Sequence, residues 1–243
     1  MEVQVVAVQV LAHRGASQAE RENTVEAFRL ARVLGADGVE LDVRRSADDT
    51  LVVHHDARLG DGGVIRETAA GDLPGHIPTL ASALDACEGM WVNLEIKNDE
   101  RDPDFDPDEW VAGETMALLD RRGELQRWLM SSFRIETMDR CRAVLPQVRT
   151  AWLTTVVPTD VASLLGDRGH VAVHPFVHLL DRDTVDRCHD AGLTVNTWTC
   201  DDPDRMRELI QWGVDGICTN VPDVARAVIA EASGDPGDGL TTA

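Results

Sequence analysis

Apolar positions along this chain follow two alternating rhythms. Short runs rich in Val, Leu and Ile alternate with longer stretches in which apolar residues return every three or four positions. The runs read as buried strands and the longer stretches as helices with one apolar face. Strands are predicted at residues 3–12, 38–43, 51–54, 90–96, 128–131, 149–153, 171–174, 194–198 and 216–219. Helices are predicted at 79–87, 109–121, 135–144, 159–165, 181–191, 202–212 and 221–232. A further helix opens after Glu22-Asn23-Thr24, where Asn23 or Thr24 can cap it, presents Ala27, Phe28, Leu30, Ala31 and Leu34, and stops at Gly35.

Strand and helix in regular alternation give a parallel sheet covered by helices. The run at 51–54 breaks the alternation, because it follows the second strand after only Ser46-Ala47-Asp48-Asp49. Parallel neighbours need a connection of a dozen residues or more, so this run is expected to return antiparallel as a hairpin. Eight strands remain. The expected fold is a (β/α)8 TIM barrel with a β-hairpin extension after strand 2 and little or no insertion (cap) domain. Residues 1–232 are read as a single catalytic domain and 233–243, rich in Gly, Asp and Pro, as a flexible tail.

The length of 243 residues fits one such barrel. A formal net charge of −20 excludes nucleic acid and stable association with an anionic membrane, since both would be repelled. No apolar run reaches about eighteen residues and Met1-Glu2-Val3-Gln4 lacks a basic start, so a soluble, cytoplasmic protein is expected. The five cysteines are scattered without paired metal-ligand spacing and read as reduced, buried thiols. The acidic stretch 98–108 reads as a solvated loop after the third barrel strand.

Candidate chemistry collects at strand ends. His13 and Arg14 close the first strand. Glu40 and Asp42 lie two apart on the second and so share a face, and Glu95 and Lys97 repeat that spacing at the end of the third. Catalytic groups of this barrel class lie at the C-terminal ends of the strands. Three converging carboxylates without clustered Cys make an all-oxygen site suited to Mg²⁺ or Ca²⁺. Arg14 and Lys97 beside such an ion would clamp a phosphate group. His55, at the end of the hairpin, supplies a second imidazole, and His13 with His55 could act as base and acid on a phosphodiester.

Taken together, His13-Arg14-Gly15, Glu22-Asn23-Thr24, Glu40-Leu41-Asp42-Val43, His55-Asp56 and Glu95-Ile96-Lys97 resemble the successive motifs of the glycerophosphodiester phosphodiesterase family. Ser132-Phe133, Trp198-Thr199 and Gly213-Val214-Asp215-Gly216-Ile217 are similar to its later signatures, so the resemblance runs from about His13 to Pro222. It implies metal-dependent hydrolysis of a small-molecule glycerophosphodiester to an alcohol and sn-glycerol 3-phosphate, through a cyclic phosphate. It also implies Glu40, Asp42 and Glu95 as ligands of one divalent cation, His13 and His55 as the acid/base pair, and Arg14 and Lys97 as phosphate contacts. Asn23 would support the first loop. Trp198 would line the pocket, although a core role suits a large aromatic equally. His54 is set aside, because the family pattern places its His directly before Asp56. The stretch between Asp56 and Glu95 is too short for the cap domain of some members, so leaving-group contacts are expected from an open rim. Two alternatives stand beside this reading: a phospholipase-D-like or lyase member that releases the cyclic phosphate, and a non-catalytic barrel that binds phosphorylated polyols.

Overall fold

The computed structural model describes residues 8–233. In chain order the elements are β1 (Gln9–His13), α1 (Val25–Val33), β2 (Gly38–Arg45), β3 (Leu51–Val53), α2 (Leu80–Ala86), β4 (Trp91–Ile96), α3 (Trp110–Arg122), β5 (Trp128–Ser132), α4 (Ile135–Val144), β6 (Arg149–Thr154), α5 (Val161–Gly166), β7 (Ala172–Pro175), α6 (Arg182–Asp190), β8 (Thr194–Thr197), α7 (Pro203–Trp212), β9 (Gly216–Thr219) and α8 (Pro222–Ser233). Eight of the strands pair parallel in the order β1-β2-β4-β5-β6-β7-β8-β9, and β9 pairs with β1 to close the barrel. The expected (β/α)8 barrel forms. The expected β1 residues 3–7, and the expected tail beyond Ser233, lie outside the described residues.

β3 lies antiparallel to the end of β2, with Val43 opposite Val53, and takes no place in the barrel wall. The hairpin expected from the short polar turn is therefore present. Its shared register carries the chain over the C-terminal face and delivers His54 and His55 there. Behind it, Ile65 and Leu73 of the segment 55–79 pack with Val52 of β3 into a small apolar cluster, and among the described residues this segment forms no separate cap domain.

Helix starts follow local sequence. Thr24 Oγ1 accepts from the Ala27 amide, and Asp181 and Asp202 cap α6 and α7 through their side chains. Gly213, at φ 78°, ends α7 in the left-handed region. The five cysteines are free and buried, as expected, and burial pushes the Cys87 and Cys141 thiols up to about 12. Among the described residues no helix is long and apolar enough to cross a membrane.

The barrel interior changes character along its axis. At the N-terminal end, Trp91 packs with Leu129, Ala151 and Ala172 into an apolar floor. Gly38 makes room for that floor, since a Cβ there would lie 2.5 Å from the Trp91 ring. Above the floor the inward positions turn polar. Gly38→Ala is expected to destabilise the protein by about 1 to 3 kcal/mol through overpacking, whereas Gly75→Ala, which meets nothing within 4 Å, is expected to be nearly neutral. Denaturant titration of the two variants checks this; equal midpoints would contradict the packing of the floor.

Candidate active site

At the C-terminal mouth, β1, β2 and β4 stand side by side. Cα register places His13 beside Glu40, and Asp42 beside Glu95. Alternation on β2 sends Glu40 and Asp42 inward together. Their carboxylates and that of Glu95 come within 4.8 Å of one another, and all three residues are buried.

The charges are poorly matched. Burial, with Asp42 and Glu95 close by, pushes the Glu40 carboxyl well above its ordinary value, and burial likewise raises Glu95 despite Lys97. Burial also works against Asp42 as an anion. Lys97, His55 and Arg14 with a hydrogen bond from Asn23 overcome that and hold it below the usual carboxylate range. Glu40 Oε1 and Asp42 Oδ1 remain buried with no hydrogen-bond partner. Two orphaned carboxylate oxygens aimed into a cluster of three acids are the donor set of a hard cation, so the residues present fit a divalent ion.

The cations sit around this cluster. Lys97 Nζ lies 2.7 Å from Glu95 and 3.5 Å from Asp42. The Arg14 amide donates to Glu40 Oε2 at 3.0 Å, and its guanidinium spans Glu22 at 2.9 Å and Asp42 at 3.4 Å. Arg14 adopts φ 57° and is followed by Gly15 at φ 83°, whose missing Cβ allows an approach to Ala27 that would otherwise be 2.7 Å. That turn aims the Arg14 amide at the carboxylate cluster. Asn23 donates to Asp42 Oδ2 at 2.7 Å while its own amide bonds the Arg14 carbonyl, so it ties the first loop to the cluster. Thr24, not Asn23, caps α1.

Both imidazoles reach the same space. His13 Nδ1 is 2.8 Å from Asn220 Oδ1, and Asn220 Nδ2 is 2.6 Å from Asp201. A carboxylate only accepts, so the Asn220 amide must turn its nitrogen to Asp201 and its oxygen to His13. His13 therefore carries its proton on Nδ1 and leaves Nε2 free. Burial and the neighbouring Arg14 lower its pKa. His55 Nδ1 bonds Asp56 at 2.7 Å, which likewise frees Nε2; burial lowers this histidine too, against the pull of Asp42. His54 bonds the Asp56 carbonyl and lines neither active-site cavity.

Trp198 is half-buried at the end of β8. Its indole donates to the His174 carbonyl, and its ring meets Phe133 edge-on at 5.4 Å. It lines the mouth, so the pocket-wall reading describes its place better than a core role. The cleft leading outward has a volume of about 1020 Å³. Its wall includes residues 98–103, so the stretch expected to be solvated surface borders the site.

All nine residues singled out from the sequence thus lie at one mouth. Sequence reasoning missed Asn220, Asp201 and Arg44. Asn220 had a usable signal, since the residue after the last barrel strand must return beside the end of the first when the barrel closes.

The chain matches the model of the glycerophosphoryl diester phosphodiesterase family over residues 13–224. It is 29% identical over 234 residues to a glycerophosphodiester phosphodiesterase of Caldanaerobacter subterraneus, covering 88% of this chain and 94% of that one. A glycerophosphodiester phosphodiesterase of Bacillus subtilis is 26% identical, over 90% of this chain and 85% of its own. Among solved structures, a phosphodiesterase of Oleispira antarctica in complex with the product sn-glycerol-3-phosphate superposes with a TM-score of 0.84 at 26% identity, covering 91% of this chain and 96% of that one.

If the acid cluster holds a cation, ion binding must stabilise the fold. Mg²⁺ or Ca²⁺ at a hundredfold excess over its dissociation constant is expected to add about 2.7 kcal/mol, which raises the thermal midpoint by about 5 to 10 °C. Chelation should reverse the shift. Glu95→Gln should abolish most of it while the far-ultraviolet circular dichroism stays native, because the site is built on the barrel and is not its core. A midpoint indifferent to both ions would contradict the site.

Proposed function

This chain belongs to the glycerophosphoryl diester phosphodiesterase family and is a glycerophosphodiester phosphodiesterase, and we propose that it cleaves its substrate with one divalent cation and paired histidines by way of a cyclic phosphate. The observation that carries this reading is the convergence of Glu40, Asp42 and Glu95 with Arg14, Lys97, His13 and His55 at one mouth of the barrel. Glu40, Asp42 and Glu95 would hold the ion, Mg²⁺ or Ca²⁺. Bound there, it would supply positive charge to the non-bridging phosphate oxygens. Arg14 and Lys97 orient the same phosphate by charge-assisted hydrogen bonds.

The two histidines differ in what holds them, and that difference suggests their order of action. Asn220 offers His13 a neutral amide oxygen, so His13 is supported as an unprotonated base. Asp56 offers His55 a carboxylate, which works against the burial that lowers this histidine and makes it, of the two, the one suited to act as acid. In the first step His13 Nε2 takes the proton of the glycerol 2-hydroxyl as that oxygen attacks phosphorus. His55 Nε2 gives its proton to the departing alcohol as the old phosphorus–oxygen bond breaks. In the second step the roles reverse: His55 takes a proton from water, the water oxygen opens the cyclic phosphate, and His13 returns a proton to the 2-hydroxyl. The products are the alcohol and sn-glycerol 3-phosphate.

Removal of either imidazole is expected to lower turnover by about 10² to 10⁴ with little effect on ion affinity. Glycerophosphocholine should be cleaved, and its analogue lacking the 2-hydroxyl should bind yet not react. Hydrolysis of that analogue at a rate near the parent's would make water the direct nucleophile and remove the cyclic step. Sustained release of the cyclic phosphate without the monoester would instead make the enzyme a lyase.

A further inference from the structure

His55 stands past the end of β3, outside the barrel wall, so the parallel ladder does not fix its position. A buried arginine does. Arg44 follows Glu40 and Asp42 at the next inward position of β2 and is 2% exposed. Its Nε and Nη2 donate to the His55 carbonyl at 2.9 and 2.7 Å. Nη2 also donates to Asp102 at 2.9 Å, and Nη1 to both oxygens of Asp104 at 2.8 and 2.6 Å. These contacts engage every guanidinium nitrogen, whereas Arg14 Nε has no hydrogen-bond partner.

A guanidinium this buried is strongly unfavourable without partners, and the two carboxylates that compensate it come from the loop after β4. That loop is closed at its base by a reciprocal pair: Asn98 donates to the Asp106 carbonyl and accepts from the Asp106 amide, each at 2.9 Å. Its acids are thereby held at fixed positions. The same loop and His55 line one cleft.

We propose that Arg44, gripped by Asp102 and Asp104, is a positioning residue that sets His55 against the leaving-group oxygen. The assignment rests on the reading of His55 as general acid. Arg44 borders the cleft, but its guanidinium is engaged by the protein, and it acts on the backbone that carries the imidazole.

The test uses single-turnover release from two substrates. Choline leaves glycerophosphocholine as an alkoxide that needs a proton, whereas the p-nitrophenyl ester of glycerol 3-phosphate releases a phenolate that needs none. Arg44→Met is expected to slow choline release by about 10- to 100-fold, with substrate affinity and ion affinity unchanged. Nitrophenolate release should stay within about threefold, and Arg44→Met should add nothing in a His55→Ala background. Equal slowing of both substrates, or a double variant slower than His55→Ala by the full Arg44→Met factor, would overturn the proposal. If His55→Ala left choline release unchanged, the reading of His55 itself would fall, a result distinct from the other two. Should Arg44→Met not fold, the paired Asp102→Asn, Asp104→Asn variant carries the same expectations on both substrates.

Discussion

Three carboxylates crowded into a buried space are the constraint to which the upper half of this barrel answers. At separations within 4.8 Å and an effective dielectric constant of about 20, each pair of ionised carboxylates costs roughly 4 kcal/mol, which is comparable to a large part of the stability of a domain. Lys97 and Arg14 lower that cost without cancelling it, as the raised Glu40 and Glu95 carboxyls and the two orphaned oxygens attest. Asn23 spends its side chain on Asp42, and the strained Arg14-Gly15 turn aims a backbone amide at Glu40. Relieving two of the three repulsions would be simple in sequence terms, by one Glu→Gln change. The chain keeps them, and such retention is what a site made for a cation requires.

The rest of the fold divides its labour around this point. The floor of Trp91, Leu129, Ala151 and Ala172 is apolar and fills the barrel at the end away from the chemistry. The hairpin of β2 and β3 brings one histidine over the mouth, and closure of β9 on β1 brings Asn220 to the other. An anionic substrate approaching a chain of net charge −20 meets Arg58, Lys97, Arg101 and Arg134 in the cleft wall, interleaved with Asp56, Glu95, Asp99, Glu100 and Asp102.

Most of the barrel was legible in sequence because strand and helix carry different apolar periods and because short turns permit only one pairing. The hairpin is the clearest case: the four residues Ser46-Ala47-Asp48-Asp49 could not span a crossover, and β3 duly pairs antiparallel. The clustering of Glu40, Asp42 and Glu95 was legible for a related reason, since a spacing of two on a strand fixes a shared face. What stayed hidden were partnerships across long stretches of chain. Arg44 meets Asp102 and Asp104 58 and 60 residues later, and His13 meets Asn220 207 residues later. No local period encodes such contacts. The loop 98–108 misled for the same cause: its acids are solvent-loving by composition, and only the buried Arg44 and the cleft beside it give two of them interior work.

The most direct test of the central claim is where a cation binds. In a crystal grown with Mn²⁺, anomalous scattering is expected to give one strong peak lying about 2.0 to 2.6 Å from oxygens of Glu40, Asp42 and Glu95. A peak held instead by the carboxylates of the 99–108 loop, or no peak at the mouth of the barrel, would contradict the account.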